Sequence, residues 1–431
     1  MSVLADAISL PGEIYRKIRN RLELLTVVPV VEFVSRVWYH LDPRVYSEQR
    51  RIGAVTQGEA PLKGKGFVLF LLASRPPLPA FTQDALEAIA RSGLNLIIVY
   101  NGKLSDSQRQ TLLPHAHVIM ERVNLGRDFG GYKDGISYLL KHFPDMDRLA
   151  LMNDSVFFFK PGLDKLFADL SGPHDFIGLT EVIEHHYHVQ SFMLSFGRAV
   201  IEHPNFQRYW RRYRPISTRR WAIHKGEVGL TRLVTKSGFK PHILYHGSQL
   251  IPYLRSERPE EILALAKLLP KAFRERLIRN FRAVDADTKI NTLASVEGVS
   301  RAIQTLSSDE DIEADLLQIR DESISSIRRI SRSIESVEAL KTEGLLSAII
   351  TSVTERNQVH VGGFLFVKYL GLPVLKRDIF YRELYGMEDI YDFLTQMDEP
   401  LIEEIIADLR QKGTAKNFKG FKKVLYRHGV I

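Results

Sequence analysis

Short apolar runs separated by helical patterns recur through the first half of the chain. The runs Phe67–Ala73, Asn95–Tyr100 and His117–Arg122 are bounded by turn residues and are typical of strands buried on both faces. Helices are predicted between them, near Asp84–Arg91 and from about Asp106. This alternation predicts βαβ units and a parallel sheet. Ligands on such sheets bind beyond the carboxyl ends of the strands, so functional residues are expected just after each strand.

The pattern continues to about Gln249. A helix is predicted for Asp128–His142, because its apolar residues fall on one stripe. Further strands are predicted at Leu149–Met152, Val156–Phe159, Phe176–Glu181 and Val189–Phe196. Together these elements predict an α/β core over residues 56–258.

A helical N-terminal arm is predicted for residues 1–55. Its apolar stretch, Leu22–Val37, contains Glu23, Glu32 and Arg36. Charges at the centre of a bilayer cost several kcal/mol, which argues against a membrane span. The pattern favours a pair of short buried helices over helices that lie on an interface, and we expect a cytoplasmic protein, soluble or attached to the inner face of the membrane.

The second half of the chain is predicted to be helical. In residues 259–350, apolar side chains recur every three or four positions from Ile324 to Leu340. This amphipathic helix, over about residues 312–340, either packs on its own core or joins two copies into a homo-oligomer. Residues 351–431 are predicted to form a small helical unit with a basic tail, which either is solvated or contacts an anionic membrane surface.

Composition narrows the function classes. The 431 residues carry a net charge of +8, which fits an anionic partner such as a nucleotide, a diphosphate lipid or a membrane. The absence of cysteine excludes disulfides, thiolate catalysis and Cys-ligated zinc. Arginines and aromatic residues mix in residues 207–221, but no recognisable nucleic-acid module accompanies them, so no nucleic-acid partner is expected.

The segment Glu121–Asp134 places glycines, basic residues and two aspartates where a strand ends and a helix begins. Glycines permit close backbone approach, and a helix N-terminus favours anionic groups, so a nucleotide diphosphate is a natural occupant. A glycine turn with Asp128 as helix cap is the structural alternative. The candidate nucleotide-sugar-binding residues are Asn124, Gly126, Arg127, Asp128, Tyr132 and Lys133, joined by Asn153 from the next motif.

The segment Leu151–Val156 contains a second polar group after a predicted strand. Asp154, helped by Asn153 or Ser155, could ligate Mg²⁺ or Mn²⁺ that bridges two phosphates. The metal would neutralise a diphosphate leaving group. An ordinary Asn-Asp-Ser turn is the alternative.

These two segments, Asn124–Lys133 and Leu151–Ser155, resemble the rhamnan synthesis protein F family of polysaccharide glycosyltransferases. The resemblance continues, in the same order, over most of the chain from Phe67 to Asp389. Its other motifs are Phe176–Thr180, His188–Phe192, Phe206 with Trp210, Gly226–Thr231, Asn357–His360 and Gly371–Lys376.

The resemblance implies a GT-A-like (Rossmann-like) nucleotide-binding core. Together with the sequence pattern it predicts an α/β fold with a mostly parallel sheet, a helical N-terminal arm and a helical C-terminal region. It also implies a deoxythymidine-diphosphate-rhamnose (dTDP-rhamnose) donor and a lipid-linked polysaccharide acceptor. The chain departs from the family at Arg127, where many members have tyrosine, and at Ile177, where tryptophan is more usual. These departures concern the sugar and the linkage more than the reaction type.

Sugar transfer with inversion needs a carboxylate that takes the proton of the acceptor hydroxyl. The candidates are Glu227, which lies in a family-like motif, and Glu181 as second choice, followed by Glu184 and Asp128. A solvent-facing carboxylate at a helix N-terminus is the alternative interpretation of Glu227.

Acceptor-sugar contacts are predicted for His188, Gln190, Arg211 and Arg212. The cluster Glu184–His188 could also suggest zinc, but no fourth ligand is evident. A non-catalytic carbohydrate-binding scaffold is the competing hypothesis for the whole protein, because the metal motif offers a single carboxylate, Asp154.

Overall fold

The computed structural model describes residues 25–74, 76–183, 186–275, 343–356, 358–413, 418–419 and 426. The chain divides into two compact units, one formed by Met1–His246 with Asn357–Ile431 and the other by Gly247–Arg356. The sequence had suggested boundaries near residues 55, 258 and 350. The helix predicted for residues 312–340 and Glu184 lie outside the described residues.

The first unit is built on an eight-stranded sheet in the order β1-β4-β3-β2-β5-β10-β7-β11. β2 pairs in parallel with β3 and β5, β3 with β4, and β7 with β11. β1 and β10 run antiparallel to their neighbours. This topology confirms the predicted α/β class and its GT-A-like, mostly parallel core. The strands are β1 Ile52–Gln57, β2 Gly66–Leu72, β3 Asn95–Asn101, β4 Val118–Arg122, β5 Arg148–Asn153, β7 Phe176–Gly178, β10 Met193–Gly197 and β11 His242–Ile243.

Two short pairs of strands lie outside this sheet. β6 Val156–Phe158 pairs with β12 Val374–Lys376, and β8 Glu181–Val182 pairs with β9 His188–Val189.

Helices cover the sheet. In the first unit they are α1 Val27–Leu41, α2 Ala80–Ser92, α3 Asp106–Leu112, α4 Arg127–His142, α5 Leu163–Leu170, α6 Arg198–Glu202, α7 Pro204–Arg212, α8 Arg219–Trp221 and α9 Val228–Lys236. After the second unit, α12 Gln358–Leu370, α13 Asp378–Tyr381, α14 Met387–Gln396 and α15 Ile402–Lys412 follow. α10 Ile251–Ser256 and α11 Pro259–Leu265 belong to the second unit, where Ile262, Leu265 and Leu269 are buried.

Glycines bring α4 close to the sheet. A Cβ atom at Gly131 would lie 2.2 Å from Leu71 Cδ1, and one at Gly135 would lie 2.2 Å from Leu69 Cδ1. Any larger side chain would therefore push the helix off β2. This contact fixes the N-terminus of α4 over the carboxyl ends of the strands.

The C-terminal segment completes the same unit. β12 pairs with β6 so that Lys376 lies opposite Val156. Next to it, Arg377 donates to the Asp154 carbonyl oxygen at 2.9 Å and forms a salt bridge with Asp408. The sequence had treated residues 351–431 as a unit of their own, but residues 357–431 pack with the α/β core.

The N-terminal region differs from its prediction in two ways. Ile52–Gln57, predicted to belong partly to a helical arm, forms the edge strand β1, in which half-buried and exposed residues alternate. The buried arrangement expected for the apolar stretch Leu22–Val37 is wrong for the part that lies in α1, whose apolar side chains include Val30 at 62% and Phe33 at 58% exposure. Among the residues that the structure describes, no helix is both long and apolar enough to span a bilayer.

Candidate active site

A cavity of about 740 Å³ lies beyond the carboxyl ends of the parallel strands. Ala73 follows β2, Asn101 ends β3, Asn124 follows β4 and Ser155 follows β5, and all four residues line the cavity. Ligands bind at this edge of open α/β sheets. The expectation that functional residues follow the strands is met by this cavity.

Asp128 lies in the first turn of α4 and faces the cavity. The side-chain amide of Asn153, at the end of β5, donates to Asp128 Oδ2 at 3.2 Å and lies 3.1 Å from the Tyr132 hydroxyl. That hydroxyl in turn donates to the carbonyl oxygen of Ser191 at 3.0 Å. Asn153, itself in contact with Tyr132, therefore fixes the orientation of the Asp128 carboxylate.

Burial raises the pKa of Asp128 to about 6, even though the cation of Lys376 acts to lower it. The carboxylates of Asp154 and Glu227 raise the pKa further, and Arg127 lowers it. These four charged side chains thus act on one carboxyl group. Such a shifted group in a cleft is typical of functional sites.

Glu227 is the second carboxylate of the cavity. It ends a π-helical turn, Ala222–Glu227, of the kind that often marks functional sites. The Ser191 hydroxyl donates to Glu227 Oε1 at 2.6 Å, and His188 Nε2 lies 3.7 Å from Oε2. Two side chains from the β9–β10 region therefore fix its orientation.

The C-terminal segment supplies cations to the cavity. Lys376 donates to the Ser155 hydroxyl at 3.0 Å, and its ammonium lies 4.3 Å from the centre of the Phe192 ring. Burial lowers the pKa of Lys376, while Asp378, Glu227 and Asp128 act to raise it. Lys376 is thus a partly buried cation that faces several carboxylates and donates to a neutral hydroxyl.

Asp378 contacts two further side chains that line the cavity, His360 and Arg382. His360 Nε2 lies 2.9 Å from its Oδ1 atom, and Arg382 Nε lies 2.7 Å from Oδ2. Burial acts to raise the pKa of Asp378, but His360 and Arg382 hold it well below its usual range. Burial also lowers the pKa of Arg219, on the opposite wall, to about 10. An anion entering the cavity would meet Arg219, Arg382 and Lys376.

Asp154 adjoins the cavity without lining it. Its Oδ2 atom accepts from the backbone N–H groups of Ala73 at 3.0 Å and Ser74 at 2.7 Å. Its neighbours Ala73 and Ser155 line the cavity, as does Arg127. Of the two residues predicted to share one cleft, Arg127 therefore lines the cavity and Asp154 is held beside it.

The described residues contain no group of three or more His, Asp or Glu side chains placed to hold a metal ion. This is compatible with Mg²⁺, which often binds one or two carboxylates and takes its remaining ligands from water and substrate phosphates. Asp154, with Asp128 nearby, fits that donor set.

Several predicted site residues lie elsewhere. Lys133 points away from the cavity, where its ammonium donates to the carbonyl oxygens of Trp210 at 2.5 Å and Arg211 at 3.2 Å. Arg211 and Arg212 are exposed at the end of α7 and do not line the cavity, and neither does Glu181.

Gly126 has a structural reason to be glycine. Its φ is +84°, and a Cβ atom there would lie 2.4 Å from Pro215 Cβ. The glycine therefore permits a tight turn at the start of α4. The sequence suggested that a ligand approaches the backbone closely here, but in the structure it is Pro215 that lies against Gly126.

The predicted residues that the structure does bring to the cavity are Asn124, Arg127, Asp128, His188, Gln190 and Glu227. Sequence reasoning missed Ser191, Arg219, His360, Lys376, Asp378 and Arg382. The signal for two of these was present, because His360 and Lys376 end the motifs Asn357–His360 and Gly371–Lys376.

The family model described as "Rhamnan synthesis protein F" matches residues 96–256, a range that contains Asp128, Asp154 and Glu227. The predicted family resemblance is thereby confirmed over that range. The match is to a segment shorter than half of the 431 residues, so it shows a resemblance of that segment to the family. The C-terminal residues of the cavity lie outside the matched range.

A curated relative, "Uncharacterized protein y4gN" of Sinorhizobium fredii, is 31% identical over 235 residues. The match covers 53% of this chain and 56% of that protein, so the chain spans little more than half of the relative's length.

Two solved structures also align with 42% of the chain at 14% identity. One is a putative nucleotide-diphospho-sugar transferase from Desulfovibrio desulfuricans G20, 80% covered with a TM-score of 0.25. The other is a glycosyltransferase involved in glycosylation of the major capsid of PBCV-1, 82% covered with a TM-score of 0.27.

Proposed function

We propose that the cavity transfers L-rhamnose or another deoxysugar from a nucleotide-diphosphate donor, dTDP-rhamnose first among them, to a lipid-linked polysaccharide. The observation that carries the proposal is the gathering of four cationic side chains and the oriented carboxylate of Glu227 in one cavity. We place the reaction at the cytoplasmic face of the membrane, where the lipid-linked acceptor would be reached.

The donor diphosphate binds among the cations. Lys376 and Arg382 approach from the C-terminal segment, while Arg127 and Arg219 approach from the start of α4 and from α8. Asp378 already pairs with Arg382 and His360, so its charge is largely compensated. A diphosphate would supply the anionic charge that this arrangement favours.

Glu227 is the proposed base. It takes the proton of the acceptor hydroxyl as that oxygen bonds to the anomeric carbon, while the bond from the anomeric carbon to the phosphate oxygen breaks. The nucleoside diphosphate leaves from the opposite face, so the configuration inverts. Ser191 and His188 hold the Glu227 carboxylate in position for this proton transfer.

Asp128 is the second candidate for the base, because its pKa of about 6 is close to the working range of a general base. Its hydrogen bond from Asn153 leaves the carboxylate facing the cavity. The acceptor sugar would contact His188 and Gln190, which also line the cavity.

A divalent cation, Mg²⁺ or Mn²⁺, is proposed at Asp154, and when bound it would supply positive charge to the leaving diphosphate. Asp154→Asn keeps an oxygen that can accept from the Ala73 and Ser74 N–H groups but removes the charge. We expect this variant to lose activity about 100-fold or more while melting like the wild type. The matched control is Asp106→Asn, which changes a 97% exposed carboxylate.

The metal proposal has a second test. Activity should be lost after treatment with a chelator and restored by Mn²⁺ or Mg²⁺. Full activity of the chelated protein, or of Asp154→Asn, would contradict the proposed cation.

A donor screen tests the proposed function as a whole. Purified protein would be incubated with a panel of nucleotide sugars, and donor binding by calorimetry and release of nucleoside diphosphate would be measured. Binding and release with a deoxysugar donor support the proposal. Binding of sugar polymer without binding of any nucleotide sugar would instead identify a carbohydrate-binding scaffold, the competing function.

A further inference from the structure

The helix α1 carries an apolar stripe that none of the described residues covers. Its residues recur every three or four positions and so form one face of the helix. Their exposed fractions run from 44% at Val37 to 75% at Leu41. The stripe consists of Val30, Phe33, Val34, Val37, Trp38 and Leu41. A contiguous exposed apolar surface on a soluble protein usually marks an interaction site.

The opposite, more polar face of α1 contacts the protein. Tyr39 packs against the small buried cluster of Val45, Leu125 and Ile216, and the His40 ring meets the Trp221 ring edge-on at 6.2 Å. The helix is therefore held with its apolar stripe outward, an orientation opposite to that of an amphipathic helix that belongs to a core.

Basic side chains border the stripe. A groove of about 370 Å³ between α1 and residues 218–225 is lined by Arg36, Arg220 and Lys225, with Glu32 as the acidic residue among its lining. The three basic side chains are exposed, whereas Glu32 is partly buried. A helix with apolar residues on one side and cations at its border matches the surface of an anionic bilayer.

The stripe lies close to the candidate active site. Residue His224 lines both the groove beside α1 and the catalytic cavity. Glu32 and Tyr39 of α1 also act electrostatically on Arg127, which lines the cavity. Only the segment 218–227 separates the helix from the cavity.

We propose that α1 lies in the surface of a membrane that contains anionic phospholipids, with Val34 and Trp38 inserted and Arg36, Arg220 and Lys225 facing the head groups. This docking places the segment 218–227, which borders both the groove and the cavity, beside the lipid surface. The membrane binding itself does not depend on the proposed sugar transfer, although a lipid-linked acceptor would explain its use.

Vesicle co-sedimentation of the full chain tests the proposal. The wild type should bind phosphatidylcholine vesicles that contain phosphatidylglycerol more tightly than phosphatidylcholine alone. Val34→Glu/Trp38→Glu should weaken this binding by about tenfold or more, because two large apolar contacts are lost. The control Leu62→Glu, which changes a 51% exposed leucine outside α1, should bind like the wild type.

Two further readouts separate insertion from electrostatic attraction. Of the three tryptophans, Trp210 is buried and Trp221 packs edge-on against His40, so most of the blue shift of fluorescence on vesicles should come from Trp38 and be lost in Trp38→Phe. Arg220→Gln/Lys225→Gln should weaken binding to anionic vesicles by about fivefold per charge and leave binding to neutral vesicles unchanged.

Three results would overturn the proposal. The first is that the wild type binds neither kind of vesicle, and the second is that Val34→Glu/Trp38→Glu binds as tightly as the wild type. The third is that the wild type is an oligomer that does not bind vesicles and that this variant converts to a monomer. The last result would make the stripe a contact between protein copies.

Circular dichroism of each variant checks folding. Release of nucleoside diphosphate in the absence of vesicles should be unchanged in Val34→Glu/Trp38→Glu, so failure of membrane docking and failure of sugar transfer can be told apart.

Discussion

Asp128 and Asp134 lie on the same helix, in the same motif, and have opposite electrostatic surroundings. Asp134 is fully buried and pairs with two buried guanidinium groups, Arg51 at 2.6 Å and Arg122 at 2.8 Å. Asp128 faces the cavity, where the neutral amide of Asn153 donates a hydrogen bond to it.

The difference shows which of the two carboxylates is available for chemistry. The charge of Asp134 is compensated within the protein, so this residue holds β1, β4 and α4 together. The charge of Asp128 is only partly compensated, and burial therefore raises its pKa. A bound ligand could compensate the part of the Asp128 charge that the protein leaves uncompensated.

The largest expected effect on stability comes from Asp134→Asn. Removing this charge leaves Arg51 and Arg122 buried without an anionic partner, which should lower the free energy of unfolding by about 3–5 kcal/mol. Chemical denaturation measures the loss. The control is Asp145→Asn, which breaks an exposed ion pair with Lys65 and should have no measurable effect. A stable Asp134→Asn variant would contradict the structural role of the pair.

A second comparison sets Lys376, a partly buried lysine, against Lys133, a buried lysine with different partners. Lys376→Met should weaken donor binding about 10–100-fold, because a cation at the proposed diphosphate site is lost. Lys133→Met should leave donor binding within about twofold and lower the melting temperature, because the bonds to the Trp210 and Arg211 carbonyls are lost. Calorimetric titration and thermal denaturation measure both. Equal losses of donor affinity in the two variants would remove the distinction.

Asp128→Asn should have the smallest effect on stability, and of opposite sign to that of Asp134→Asn. The folded pKa of Asp128 is raised from 3.8 to about 6, so the folded protein binds this proton more tightly than the unfolded chain. Stability therefore falls as pH rises from about 4 to about 6 and stays lower above that range.

The asparagine variant avoids the cost of ionising Asp128 in the folded protein. It should be more stable than the wild type by about 1 kcal/mol at pH 8. This is less than the roughly 3 kcal/mol that a pKa shift of about two units would give for a fully buried group. At pH 4 the two proteins should be nearly equal. Denaturation curves at both pH values measure the difference, and a destabilised variant at pH 8 would show that the Asp128 carboxylate is compensated after all.

The parts of the site that depend on local sequence could be predicted. The strands, the start of α4 and the positions of Asp128 and Asp154 follow from apolar runs and from the polar residues after them. Lys133 was misplaced although the helix geometry was available: five residues after Asp128, it lies roughly 140° around α4 and so faces away from the cavity. The period of the helix separates ligand-facing from protein-facing residues within one motif.

The C-terminal half of the site could not be placed from local patterns. Lys376 reaches Ser155 through the pairing of β12 with β6, between residues 221 positions apart in the chain. No local pattern reports such a long-range pairing. Similarly, the amphipathic pattern of α1 shows an apolar face but not which side of the helix the protein covers, and the structure leaves that face exposed.

The most direct test of the central claim is the rate of nucleoside diphosphate release by Glu227→Gln, measured together with donor affinity. The account predicts a rate lowered by about 10²–10⁴-fold with donor affinity nearly unchanged, because the amide can still accept from Ser191 but cannot take a proton. Collapse of donor binding with little change in the rate of bound donor would contradict it, since Glu227 would then hold the substrate and another residue would be the base.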